Sequence, residues 1–85
     1  LAEVAAQAGI DARERVVRDE LLSALGVAIE ALPSPQREVI EAQALQGTTF
    51  RELAERTGES IDTLMARKRY AMKKLAAALK YWIRD

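Results

Sequence analysis

The sequence predicts an all-α fold: a small bundle of four helices, with a candidate fifth, ending in a helix-turn-helix whose second helix is long. Three observations predict it. The strong helix formers Ala, Leu, Glu, Lys and Arg dominate the chain, and alanine alone supplies sixteen of its residues. Only four glycines and two prolines interrupt it. Between those interruptions, apolar residues recur at threes and fours, the period of an amphipathic helix.

Leu1, Val4, Ala5 and Ala8 share one helical face, and Gly9 stands where a helix stops, which makes 2–8 the candidate fifth helix. Asp11 precedes Glu14 by three residues, the spacing of an N-cap with a capping-box partner. Val17, Leu21, Ala24, Leu25, Ala28 and Leu32 then mark a helix over about 12–32, ending at Pro33. Ser34-Pro35 reads as a cap followed by proline at the first helical position. The helix it starts, about 35–46, has Val39, Ile40, Ala44 and Leu45 on its apolar side and ends at Gly47. Thr49-Phe50-Arg51-Glu52 is a second capping box. It opens a short helix, 50–57, with Phe50, Leu53 and Ala54 inward and Gly58 at its close. Ser60 caps the last helix, 61–83, whose apolar stripe is Ile61, Leu64, Met65, Ala71, Met72, Leu75, Leu79 and Trp82. Residues 1–11 are expected to be an N-terminal linker or short helix and 12–85 the domain proper.

Composition narrows the function. A chain of 85 residues makes one small domain. It buries about 60–65% of the surface that its unfolded form exposes, which leaves little room for a deep catalytic cleft. With no cysteine there is no disulfide, thiolate nucleophile or thiolate-held metal, and with no histidine the commonest metal ligand and general base are missing. Phosphate loops and paired buried carboxylates are not in evidence either, so no catalytic constellation is expected. No apolar run approaches the ~20 residues of a membrane span. The first ten residues lack the basic start and apolar stretch of a signal peptide. A chain opening on Leu1 rather than methionine is expected to be a fragment of something larger.

Ala54-x-x-x-Gly58 joins two helices at a turn that needs positive φ, and a long helix follows at once. In a helix-turn-helix, that second helix enters the DNA major groove N-terminal end first. An ordinary helical hairpin has the same spacing, and Ala5-x-x-x-Gly9 repeats it without a good recognition helix behind it. Charge separates the two cases. Thirteen basic and thirteen acidic residues cancel overall, but residues 59–85 hold seven basic and three acidic side chains, net plus four. Arg67, Lys68, Arg69, Lys73, Lys74, Lys80 and Arg84 carry that excess. A helix dipole favours cations near the C-terminal end, yet Arg67 to Arg69 lie in the first half, as a phosphate-facing surface requires.

Leu32-Pro33, Arg37-Glu38-Val39-Ile40, Gly47-Thr48-Thr49-Phe50, Glu52-Leu53-Ala54-Glu55, Gly58, Thr63-Leu64, Arg67 and Ala71 together resemble region four of bacterial sigma factors, closest in style to the extracytoplasmic-function branch of the sigma-70 family. The resemblance runs over 32–75 without a gap. It implies a cytoplasmic, bacterial transcription initiation domain that needs no cofactor. Such a domain docks on the β-subunit flap of RNA polymerase, reads the −35 element of double-stranded promoter DNA, and can be the target of an anti-sigma factor. By the family pattern the recognition helix begins at Ser60, with Thr63, Met65, Ala66, Arg69 and Tyr70 toward bases. Arg67, Lys73 and Arg51 are placed toward phosphate, with help from backbone amides near Thr49 and Ser60.

The chain departs from that pattern at base-reading positions. Met65 stands where a basic residue is usual, Ala66 where serine is, and Tyr70 where arginine is. An arginine's bidentate contact to guanine is worth roughly 1–3 kcal/mol of discrimination, which methionine and alanine do not supply. Lys68 and Thr57 replace residues that are usually apolar, with the Lys68 stem covering the seam and its ammonium in solvent. Met65 and Met72 read as packing residues, and Tyr81 and Trp82 as the edge of the core. Two other readings stay open. One is a region-four-like interaction module, target or decoy of an anti-sigma factor. The other is the output domain of a response regulator, although its recognition helix usually carries lysine and histidine where this chain has Met65 and Arg67.

Overall fold

The structure, a computed structural model, describes residues 2–11 and 13–83, the last two by backbone alone. Leu1 and Arg84, and the side chain of Trp82, lie outside that description. Every regular element among the described residues is helical: α1 (Ala2–Ala8), α2 (Arg15–Glu30), α3 (Ser34–Val39), a π-helical segment (Ile40–Leu45), α4 (Phe50–Thr57) and α5 (Ile61–Ile83). The chain divides into two compact units, one drawn from 1–31 and 72–85, the other from 32–71.

In the first unit, Val4, Ala5 and Ala8 are buried, as the shared face predicts. The Ile10 amide donates to the Ala5 carbonyl and the Gly9 amide to the Ala6 carbonyl. This double closure, with Gly9 in the left-handed region, ends α1. The start of α2 differs from the expectation. Asp11 does not cap it: the N-cap is Glu14, and no side chain bonds there. Arg13 has taken the Asp11 carboxylate, donating from Nη2 at 2.8 Å and from Nε and its own amide at 3.0 Å. Two charged, parallel bonds outcompete one amide. They hold the Asp11 carboxyl below its usual range, the guanidinium bonds contributing most and the amide next. α2 therefore begins at Arg15, three residues later than the spacing predicts. Leu21 and Leu25 are its buried residues, and among the described side chains of α5 in this unit Met72, Leu75, Ala76 and Leu79 are buried. Tyr81 is 81% exposed, so it is not a core edge.

In the second unit, Val39, Ala42, Leu53 and Leu64 form the core, with Phe50 and Ala54 packed against it. Full burial of each leucine is worth about 1.5–3 kcal/mol. Pro33 rather than Ser34 occupies the N-cap of α3, so the serine is helical and caps nothing. The expected single helix over 35–46 is in fact two segments, α3 and the π-helix. Gln46 donates back five residues to Glu41 instead of the four-residue step of an α-helix, and Thr48, past the left-handed Gly47, closes the segment six residues back on Ala42. Ala42, three residues after the buried Val39, is buried too, whereas Ala44 and Leu45, expected inward, are exposed. Leu45 keeps 67% of its surface.

Candidate nucleic-acid interface

The turn between α4 and α5 builds the site. Thr49 caps α4 by accepting the Glu52 amide on Oγ1 at 3.1 Å. Gly58 closes α4 in the left-handed region, at φ 78° and ψ 1°, and its amide returns to the Ala54 carbonyl. A Cβ on Gly58 would meet nothing within 4 Å, so the turn needs glycine for its backbone angle and not for space. Thr57, one residue earlier, is no lost core residue. Its hydroxyl donates to the Leu53 carbonyl at 2.8 Å and accepts the Glu59 amide at 3.2 Å, pinning the turn on both sides of the glycine.

Ser60 then starts α5. The Thr63 amide donates to Ser60 Oγ at 3.1 Å, and the Ser60 hydroxyl donates to Thr63 Oγ1 at 2.9 Å. Two of the residues that the family pattern aims at DNA thus use each other to begin the helix. Behind them, Leu64 and Ala71 anchor the inner face of α5 at 1% and 0% exposure. Lys68 is half-buried, with its ammonium 5.9 Å from the centroid of the Phe50 ring. The cation thus bridges α4 and α5 as its stem alone would not.

The rest of the helix surface is open. At 3.6 residues per turn, Asp62, Ala66, Arg69 and Lys73 fall in one row, and Thr63, Arg67, Tyr70 and Lys74 in the next. Asp62, Arg69, Tyr70 and Lys73 are exposed, and Thr63, Ala66 and Arg67 are half-buried. Met65 stands outside both rows. It and Ile61, both expected in the apolar stripe, are 44% and 43% exposed. Met65 and Arg67 lie about 200° apart around the axis, so they flank the open face rather than share it. Lys73 falls in the other compact unit and is placed with this group by its register on α5 alone. Arg51 is exposed on α4, and Ser60 at the start of α5.

This arrangement is a helix-turn-helix: a capped short helix, a glycine-closed turn and a capped long helix with a cationic outer face. The family model for sigma-70, region 4, matches residues 22–75. The chain belongs to that family. Sigma-70 region 4 is a DNA-binding helix-turn-helix domain, not an enzyme, and it generally binds −35 promoter DNA and RNA polymerase. No curated protein and no solved structure matches the chain significantly.

Two acidic residues of this region 4 domain escaped the sequence reading. Asp62 is exposed in the first turn of α5, in the same row as Arg69. Glu59 is paired with Arg67, Nη2 to Oε1 at 3.3 Å, across the turn. The Asp62 position follows from helical spacing, seven residues before Arg69 on α5. The Glu59 pair spans eight residues and a non-helical turn, for which no spacing rule exists. Among the described residues, no group of acidic side chains is placed to hold a metal ion, and no helix is long and apolar enough to cross a membrane.

Proposed function

We propose that this chain reads the −35 element of promoter DNA with α5 while docked on the β-subunit flap of RNA polymerase. The domain is assigned to residues 12–85, with 1–11 as its short N-terminal lead-in. The observation that carries the reading is the open face of α5 behind a side-chain-capped start. In this reading Ala66, Arg69 and Tyr70 meet the bases, and Arg67, Lys73 and Arg51 meet the backbone. Family membership supports it. Base discrimination falls mainly on Arg69, the arginine in the row that faces away from the buried Leu64 and Ala71. Arginine is the side chain best suited to a bidentate contact with guanine in the major groove.

Phosphate contacts of this kind release counterions, so the logarithm of affinity falls linearly with the logarithm of salt, by about 0.9 per phosphate neutralised. A fluorescence titration with a labelled duplex at several salt concentrations tests this. A falling affinity supports the reading, and a flat response counts against it. The setting is bacterial and cytoplasmic.

A second reading, an interaction module that an anti-sigma factor captures, is favoured by one observation: Met65 and Tyr70 expose 44% and 56% of their surface on α5. An NMR titration in which promoter duplex moves no α5 resonance would favour it over the first.

A further inference from the structure

We propose that Glu59 is an acidic restraint on Arg67 that holds down sequence-independent DNA binding at the recognition helix. The inference rests on the reading of α5 as the DNA-facing helix.

Glu59 sits between Gly58 and Ser60, at the point where the chain enters α5. Its backbone is held independently of Arg67, because its amide donates to the Thr57 hydroxyl at 3.2 Å and that hydroxyl donates in turn to the Leu53 carbonyl. From there its carboxylate takes one Arg67 N–H at 3.3 Å. The two side chains keep 29% and 43% of their surface, Arg67 and Glu59 respectively. The pair is thus open to solvent and bound through a single long contact, the kind that contributes little to stability and opens readily.

That geometry has a consequence for a phosphate. An anion approaching Arg67 meets a guanidinium already paired with a carboxylate. It must displace Glu59 before it can take the Arg67 N–H. Arg67 therefore contributes less to binding any duplex than its charge suggests, whatever the sequence. A contact to a base edge by Arg69, which lies in a different row of the helix, is not opposed in the same way. Glu59 is a positioning residue: it acts through Arg67 and touches no DNA. The result is a lower non-specific background with base reading left in place.

The test is a double-mutant cycle on the full 85-residue chain. Wild type, Glu59→Gln, Glu59→Asp, Arg67→Gln and the double variant Glu59→Gln/Arg67→Gln are titrated by anisotropy against a short random-sequence duplex at several salt concentrations. Freeing Arg67 from Glu59 restores one exposed cation–phosphate contact, worth about three- to tenfold. Glu59→Gln is therefore expected to bind about three- to tenfold tighter, with a salt slope steeper by about one phosphate. Glu59→Asp, which keeps the charge, gains less. In the Arg67→Gln background the gain disappears. A merely structural role for Glu59 moves the melting temperature, but not the salt slope or the coupling to Arg67. If wild type binds and Glu59→Gln binds no tighter, or if the gain persists without Arg67, the restraint is overturned. If neither wild type nor Glu59→Gln binds duplex even at low salt, the DNA-facing reading of α5 fails, and this inference fails with it.

Discussion

The Glu59 amide donates to the Thr57 hydroxyl across Gly58, at 3.2 Å. One hydroxyl thereby serves both sides of the turn, since it also donates to Leu53. Replacing Thr57 by valine keeps the shape and removes both bonds. The expected loss is about 1–2 kcal/mol of unfolding free energy, from two hydrogen bonds each worth about 0.5–1.5 kcal/mol less partial compensation by water. Leucine, the residue more usual there, brings no offsetting gain, because the site is exposed. Chemical denaturation of the two variants checks this. A stabilised Thr57→Leu variant would contradict it.

Gly58 is strained for any other residue by its backbone alone, with φ at 78° and open space around a Cβ. Gly58→Ala is expected to cost about 1–2 kcal/mol, the penalty of the left-handed region. Gly58→Asn is expected to cost less, because asparagine tolerates that region better. Equal losses would point to a steric cause instead.

Burial in the π-helical segment makes a prediction opposite to that of the expected apolar side. Leu45→Gln is expected to change stability by no more than about 0.5 kcal/mol, because the side chain is exposed. Ala42→Leu is expected to cost about 1–3 kcal/mol by overpacking a buried site. The expected apolar side, with Ala44 and Leu45 inward, reverses this order, with a large loss at Leu45. Thermal unfolding of the two variants separates the cases.

What was legible in the sequence follows the range of the interaction. Thr49, Gly58 and Ser60 act within three or four residues, through backbone groups whose positions helix geometry dictates, and each does what its place predicts. Asp11 also sits at a capping position, but two outcomes compete there. A local pattern does not show that the Arg13 guanidinium wins. The π segment is less visible still, because side-chain spacing carries no direct mark of which carbonyl an amide chooses. Only the Gln46 amide reaching back to Glu41 betrays it. At the candidate site, cationic residues stand out by type, whereas the Glu59–Arg67 pair depends on how the turn folds the chain back.

The Asp11–Arg13 pair predicts a titration. The carboxyl is held below its ordinary value of 3.8, so whatever the pair adds to folding is present above that value and is lost as pH falls through the lowered one. In an NMR pH titration the Asp11 resonance is expected to move at lower pH than an unpaired aspartate, and Arg13→Ala is expected to return it to the ordinary range. An Asp11 midpoint unaffected by Arg13→Ala would contradict the pairing.

The central claim, that α5 reads promoter DNA, is tested most directly by selecting bound duplexes from a random library with this chain, in the presence and absence of the polymerase β flap. The account predicts enrichment of one recurring motif. That motif changes when Arg69 is replaced by alanine, and keeps its sequence with weaker binding throughout when Arg67 or Lys73 is replaced. A selected pool without a motif, with the flap and without it, would contradict the claim.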